Sequence, residues 1–277
     1  MEHIIVEKRE GVGVLTIARP ERFNSFDAST AQDLRKAGLS LARDASVRAV
    51  ILRGQPGAFC SGADLKYIRA GGAADLQFLT PSARERPPGP GAVFKQILEY
   101  LHSTISEIRR STKPWIAAVD GAAAAGGLGL ALCCDLVLAS ERATFEWAYG
   151  KTALSGAEST TFFLPRLAGL RLAMEMVLLN PRLDAQAALR AGLITRVLPV
   201  EGFDDAVFAL ARSIAAGPAG AYGAAKTLMN QAVGADRLDY HLDQELEALV
   251  RSADSPEFSE GLRAFFEKRP ARFPGGS

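Results

Sequence analysis

Two runs of very small residues, each directly behind a strand-like pattern, constrain this chain more than any other feature. Ala58-Phe59-Cys60-Ser61-Gly62-Ala63-Asp64-Leu65 follows the run Val47 to Arg53. Gly121-Ala122-Ala123-Ala124-Ala125-Gly126-Gly127-Leu128-Gly129 follows Trp115 to Val119. Residues with no side chain, or only a methyl, leave backbone N–H groups uncovered. Two such turns carried by neighbouring strands can aim two amides at one oxygen, which is the geometry of an oxyanion hole. Taken alone, the second run reads equally as a helix start that needs small residues for packing. The pairing of the two runs favours function.

The rest of the chain sets these turns in a mixed α/β frame. Val12 to Arg19 alternates and predicts a strand, as do Val47 to Arg53, Trp115 to Val119 and Leu136 to Ala139. Helical periodicity runs over Ala28 to Asp44 and Ala92 to Arg110, and a helix is expected to start at Gly126. Gly71 to Gly91 is rich in glycine and proline, which predicts a long loop with a short helical turn near Asp75 to Leu79. It reads as a lid over a bound acyl chain or as a solvated connector, and the lid is preferred because long loops in compact domains are often functional. From Phe203 onward the pattern is helical, over Phe203–Ala216, Pro218–Val233, Tyr240–Ser252 and Pro256–Lys268.

The two small-residue runs resemble the crotonase (enoyl-CoA hydratase/isomerase) superfamily, and the match spans nearly the whole chain. Arg19-Pro20-Glu21-Arg22-Phe23-Asn24-Ser25, Lys113-Pro114-Trp115 through Gly121, and Ala191-Gly192-Leu193-Ile194 support it by their order. The resemblance implies an α/β fold: a spiral of ββα units over residues 1–200 and a helical region, 201–277, that trimerises and borders the coenzyme A site. It implies that the amides of Ala63 and Gly126 hold a thioester oxygen. It places coenzyme A, as part of the substrate and with no other cofactor, against Ser61, Gly62, Ala63, Asp64 and Leu65; Arg22 reads either as a contact to a coenzyme A phosphate or as an exposed, solvated arginine. Near the C-terminus, Phe265-Phe266-Glu267-Lys268-Arg269-Pro270 resembles the tail in which an aromatic and a lysine, here Phe266 and Lys268, approach the adenine and phosphate; plain helix packing explains the aromatics equally well. The partners implied are an acyl-CoA and copies of this chain, as a homotrimer or a dimer of trimers.

The sequence departs from that pattern where hydration is concerned. The two hydratase glutamates would fall on Gly129 and Tyr149, neither of which carries a carboxylate. Isomerase-type relatives place one carboxylate in the turn before the next helix. By alignment it falls on Ala157, and Glu158 stands one position later. Glu158 is therefore either a displaced base or a helix-capping residue. Tyr149 is read as pocket wall or weak acid, Asp64 as a helix cap beside its coenzyme A contact, and Glu146 as an outside candidate. A single base suits a double-bond shift, because it can take a proton from one carbon and return it at another. Hydrolase, decarboxylase and dehalogenase reactions on the same oxyanion hole remain alternatives, as does a non-catalytic acyl-CoA binder.

Composition excludes several other classes. A net charge of +1 over 277 residues shows no basic stripe for nucleic acid, which disfavours an RNA-binding relative. No apolar run spans a bilayer, and the charged start Glu2, Glu7, Lys8, Arg9, Glu10 is unlike a targeting peptide. Three cysteines make no disulfide framework, so a cytoplasmic setting is expected, with Cys60, Cys133 and Cys134 as small buried residues. His3, His102 and His241 are scattered and form no legible Cys–His pair; His102 falls on the helix after the lid, within reach of the pocket, with a helix-surface position the more usual outcome. No metal-ligand spacing is present.

Overall fold

The computed structural model describes residues 1–72 and 89–273. In chain order its elements are β1 (Ile4–Arg9), β2 (Val12–Ile17), α1 (Ala28–Arg43), β3 (Ala49–Gly54), β4 (Ala58–Cys60), α2 (Leu65–Arg69) and α3 (Pro90–Arg110). There follow β5 (Trp115–Val119), β6 (Ala122–Ala124), α4 (Gly126–Leu132), β7 (Leu136–Ser140), β8 (Thr144–Glu146), α5 (Thr160–Leu179), β9 (Leu183–Asp184), α6 (Ala185–Arg190) and β10 (Arg196–Leu198). The chain closes with α7 (Phe203–Ala215), α8 (Ala219–Ala232), α9 (Leu238–Ala253) and α10 (Pro256–Glu267).

Three strands of a large sheet, β3, β5 and β7, are each followed by a short strand of a second sheet. The large sheet has the order β1-β2-β3-β5-β7-β10, the small one β4-β6-β8-β9. Thus β3–β4, β5–β6 and β7–β8 form three successive steps of a spiral, each followed by helix. The pairs joining one step to the next are parallel in both sheets. This is the expected ββα rhythm. The sequence reading took Ala58–Cys60 and Ala122–Ala124 as parts of turns; the structure makes them short strands, with the turns immediately behind them.

Period-two alternation decides what each face of the large sheet covers. Leu15, Val50, Leu52, Trp115 and Ala117 face the main core, where Leu34, Leu41, Ile97 and Leu101 of α1 and α3 pack. Val14, Ala49, Ile51, Ile116 and Ala118 face the other side, where α7 supplies Phe203, Val207 and Ala211. The C-terminal helices are therefore built into the body of the fold. Leu242 and Leu249 of α9 and Phe258 of α10 are buried in the same core as α3. Asp27, Asp64 and Ser255 cap α1, α2 and α10 by accepting from backbone N–H groups, as their residue types predict.

Helix α3 starts at Pro90, two residues before the expected start, because a proline at the first turn lacks only an N–H that the helix does not use. The expected lid and the helical turn near Asp75 to Leu79 lie outside the described residues. Among the described residues no helix is long and apolar enough to cross a membrane.

The start of α4 is the tightest joint. A Cβ on Gly127 would lie 2.0 Å from the carbonyl oxygen of Cys60. By contrast, a Cβ on Gly38 in α1 would meet Thr104 Cγ2 at 3.6 Å, an ordinary contact. Gly127→Ala is therefore expected to lower unfolding stability by roughly 3 kcal/mol or more, because backbone must move. Gly38→Ala should raise it by about 0.5–1 kcal/mol. Urea midpoints of the two variants measure both; a Gly127→Ala midpoint equal to the parent's would contradict this packing.

Candidate active site

The first small-residue turn is shaped by a parallel bridge between Phe26 and Ala63. Phe26 donates its N–H to Gly62 O at 2.8 Å, and Asp64 donates to Phe26 O at 2.7 Å. Successive backbone groups alternate in direction along an extended segment. The Ala63 N–H, lying between those two bonded groups, therefore faces the opposite way. Gly62 has φ 89, and a Cβ there would touch Ala125 Cβ at 2.8 Å and Gly126 N at 3.1 Å. The two turns are thus in direct contact, and glycine at 62 permits it.

The second turn leaves β6 through Ala125, at φ 49 and ψ −121, before α4 begins at Gly126. An alanine held there costs on the order of 1–3 kcal/mol, and such strain clusters at functional sites. The Ala125 N–H is used, donating to Glu146 O at 3.2 Å. Among the described residues, neither the Ala63 nor the Gly126 amide donates to a protein acceptor. The first belongs to a half-open turn and the second to the first residue of a helix, where N–H groups have no intrahelical partner.

A cavity of about 360 Å³ opens beside these turns. Ser61, Ala63, Asp64 and Leu65 line it from the first turn, Ala124 and Ala125 from the second. Gly62 and Gly126 are at the contact between the two turns, next to these lining residues. Arg22, Lys66 and Lys151 stand on the cavity wall, with Phe94 and Leu249 as apolar walls and Phe265 and Phe266 from α10. The Arg69 guanidinium lies 3.7 Å over the Phe266 ring. Lys268 is not brought to this cavity: it follows α10 in a left-handed conformation and does not line the wall. Lys66 and Lys151 do line it, and the sequence reading singled out neither.

Asp64 both caps α2 and lines the cavity. Its other oxygen accepts from Arg19 Nη2 at 3.2 Å, and Arg19 also reaches Asp27 at 3.0 Å and Ser25 O at 2.7 Å. Arg19, absent from the expected site residues, is the buried brace of the first turn.

Glu158 reaches the cavity, and the turn around it shows how. Gly156, Glu158 and Ser159 all have positive φ, at 90, 49 and 64. This doubled left-handed step carries the Glu158 carboxyl against α4, where a Cβ on Gly126 would lie 2.8 Å from its Oε1. The Glu158 main chain lies against Gly129, where a Cβ would stand 1.9 Å from the Glu158 carbonyl oxygen. The space a side chain at position 129 would need is thus taken by Glu158 backbone. Glu158 is 3% exposed and is not a surface helix cap. Its carboxyl hydrogen-bonds the Tyr149 hydroxyl, whose ring packs on Trp147 with centroids 5.2 Å apart. The phenol also lies 3.1 Å from Ala157 O. An ionised Glu158 accepts the phenolic hydrogen; a protonated Glu158 donates to that oxygen while the phenol turns to the Ala157 carbonyl. Both states are satisfied.

His102 is buried, contrary to the surface position expected of it. It faces inward from α3 and its Nε2 accepts the Glu158 N–H at 3.3 Å. Burial, with His241 nearby, lowers its pKa to about 3, so it stays neutral. Glu245 of α9 is the second residue the sequence reading missed. It is buried and accepts from Ser159 N at 2.8 Å and Thr161 N at 3.0 Å. The signal was present: Leu238, Leu242, Glu245 and Leu249 share one buried helix face, and a glutamate in an apolar stripe needs partners.

Two cavity carboxylates titrate in opposite directions. Burial pushes Glu158 up to about 8, opposed by the Tyr149 hydrogen bond and helped by repulsion from Glu245. For Glu146 burial also acts upward, but Lys151, Asn180 and Arg182 together hold it below the ordinary range. Glu146 is thus locked in ion pairs. Burial raises Tyr149 well above its ordinary range, with Glu158 charge adding to it. The Cys60 thiol is raised too, chiefly by burial, and all three cysteines are free and buried as expected. Among the described residues no group of side chains could hold a metal ion.

The comparisons with known proteins fit this geometry. The profile of the Enoyl-CoA hydratase/isomerase family matches residues 7–87 and 89–276. Over 276 residues the chain is 33% identical to 1,2-epoxyphenylacetyl-CoA isomerase of Escherichia coli K12, covering 99% of both chains. It is 32% identical over 266 residues to 4-chlorobenzoyl coenzyme A dehalogenase-2 of an Arthrobacter species, covering 96% of this chain and 91% of that one. A crystal structure of an enoyl-CoA hydratase from Mycobacterium avium subsp. paratuberculosis superposes with a TM-score of 0.84 at 30% identity, covering 98% of each chain. The fold and site define a crotonase. The chain belongs to the enoyl-CoA hydratase/isomerase family and is an acyl-CoA enzyme of that family.

A stability test follows from the buried acids. In the unfolded chain Glu158 releases its proton near 4.5, whereas in the folded protein it holds it to about 8. Between those values the folded state binds more protons, so stability falls as pH rises. Glu245, raised to about 7 by burial, contributes to the same slope over the lower part of that window. Glu158→Gln is expected to flatten the decline in urea midpoint across this window. A variant profile running parallel to the parent's contradicts the placement of a protonated Glu158 in the core.

Proposed function

We propose that this protein moves a carbon–carbon double bond in an acyl-CoA, with Glu158 as its single acid–base group. The observation that carries this reading is the Glu158 carboxyl, buried against Gly126 in the cavity lined by Ala63, with a pKa raised to about 8. The thioester oxygen sits on the Ala63 and Gly126 amides. Ionised Glu158 takes a proton from C2 of a 3-enoyl-CoA, and the electron pair is delocalised onto that oxygen as a dienolate. The same carboxyl returns the proton at C4, leaving the double bond between C2 and C3. Each amide lowers the barrier by roughly 3 kcal/mol, because the negative charge develops only during the reaction. The bound coenzyme A is part of the substrate, with Arg22, Lys66 and Lys151 on the side of its phosphates.

Hydration fits this site poorly. It needs a water oriented and deprotonated while a proton is delivered to carbon. By the resemblance, the two hydratase glutamates fall on Gly129, over which the Glu158 backbone packs, and on Tyr149, bonded to Glu158. The isomerase name of the Escherichia coli relative supports an isomerase reading. Apolar side chains left exposed on α5, Leu170, Leu178 and Leu179, and on α8, Leu228 and Met229, support association of copies of this chain. We propose a homotrimer or dimer of trimers.

A spectrophotometric panel of 2-enoyl- and 3-enoyl-CoAs tests the reading. Isomerisation of 3-enoyl substrates is expected, falling about 10²–10⁴-fold in Glu158→Gln. The kcat of the parent should rise with pH through about 8, since ionised Glu158 is the working base. Full turnover by Glu158→Gln removes that residue from its role. Gly129→Glu should lose isomerase activity without gaining hydration, because its Cβ meets Glu158 backbone; a hydratase from that variant contradicts the displacement.

A further inference from the structure

We propose that Glu245, on the C-terminal helix α9, is the positioning residue that holds the Glu158 carboxyl in the cavity. It does so by capping α5 from outside that helix's own chain segment. The inference rests on the reading of Glu158 as the acid–base group, and it concerns what keeps Glu158 there.

The start of α5 is capped in an unusual way. Ser159 stands at the N-cap position, where a serine normally adopts an extended conformation and accepts from the helix amides with its own hydroxyl. Here Ser159 is left-handed at φ 64 and makes no such bond, and its Oγ instead lies 3.5 Å from Gly129 O. The cap comes from Glu245: Oε2 accepts the Ser159 N–H at 2.8 Å, and Oε1 accepts the Thr161 N–H at 3.0 Å together with the Thr161 hydroxyl. With the amides satisfied from α9, the chain is free to keep Glu158 and Ser159 left-handed. Two consecutive non-glycine residues in that region each cost on the order of 1 kcal/mol or more, so something must oppose their relaxation.

Glu245 is 4% exposed and has no lysine or arginine within ion-pair distance among the described residues. The nearest basic groups are His102 Nε2 at 3.9 Å and His241 Nε2 at 3.7 Å. A carboxyl in an apolar helix stripe with no cation beside it is costly for stability alone. Its bonds go to the turn that aims Glu158. Without them, Ser159 can turn to its ordinary capping conformation, and the residue before it leaves the cavity.

The test compares the parent with Glu245→Gln, which keeps the shape but leaves one oxygen to accept where two accepted before. In a crystal structure of the variant, Glu158 is expected to have left its contacts with Tyr149 and Gly126. For a 3-enoyl-CoA, kcat should fall at least about tenfold with KM changed less than about threefold, because the oxyanion turns and the acyl walls are untouched. In a Glu158→Gln background the second change should have almost no further effect on kcat, the signature of action through Glu158. If Glu245→Gln does not fold, Thr161→Val, which removes one donor from Oε1, is read the same way with a smaller shift. Glu158 unmoved in the variant structure, or a loss of kcat that adds to that of Glu158→Gln, overturns the proposal. If the parent turns over no 3-enoyl-CoA, the isomerase reading fails, while the variant structure still decides the role of Glu245.

Discussion

The close contact between the start of α4 and the two segments that press on it is the constraint on which this site depends. Gly127 receives the main chain of Cys60, and Gly129 receives the main chain of Glu158. Neither contact leaves room for a methyl group. The first brings the Ser61–Asp64 turn against Gly126, and the second brings the Glu158 turn over it. One stretch of residues without side chains therefore docks both the proposed oxyanion donors and the proposed base. The strained Ala125 ahead of α4 and the left-handed Glu158–Ser159 step belong to the same joint, since each lets a chain approach that an ordinary turn would hold away. Their cost is offset by the large core that surrounds them, where Phe26, Phe59, Trp115 and Phe145 are fully buried.

Within that joint, environment and not residue type separates the carboxylates. Glu146 and Glu158 line one cavity, yet Glu146 faces Lys151, Asn180 and Arg182 while Glu158 faces a phenol and a second buried acid. The first is held ionised and occupied. The second keeps its proton into the neutral range and, among the described residues, has no cation in ion-pair contact, which is the state a proton carrier needs. Tyr149, flanked by left-handed Ala148 and Ala153, is fixed so that its hydroxyl serves Glu158 in either protonation state.

Much of this was legible in the sequence. The two small-residue runs behind Val47–Arg53 and Trp115–Val119 located the turns, and the family resemblance they carry implied the fold. Short strands such as Ala122–Ala124 were not legible, because three alanines carry no alternation and pair only through neighbours far away in the chain. The position of His102 was misjudged because α3 is buried on more than one face: Gln96, His102 and Thr104 lie inside along with its leucines and isoleucines. Glu245 went unnoticed although it breaks the apolar stripe of α9, because its partners are backbone amides at Ser159 and Thr161, which leave no mark on residue types. Whether Glu158 could reach the cavity one position late was open for a related reason. The answer lies in two backbone dihedrals that neither glutamate nor serine advertises.

A proposed base displaced by one residue has a consequence for how such chains are compared. Position 157 holds an alanine whose side chain is buried, while its carbonyl lies within hydrogen-bonding distance of Tyr149 and Thr160. An alignment that matches columns finds no carboxylate there and reads a dead site. Space gives a different answer, because the doubled left-handed step at Glu158 and Ser159 carries the Glu158 carboxyl into the cavity, against Gly126. The step requires two further conditions, no side chain at 129 and a cap for α5 that does not come from Ser159. Both are met here, by Gly129 and by Glu245. On the proposed reading, the glycine at 129 and the carboxylate at 158 are linked: the side chain that Gly129 lacks would need the space that the Glu158 main chain occupies.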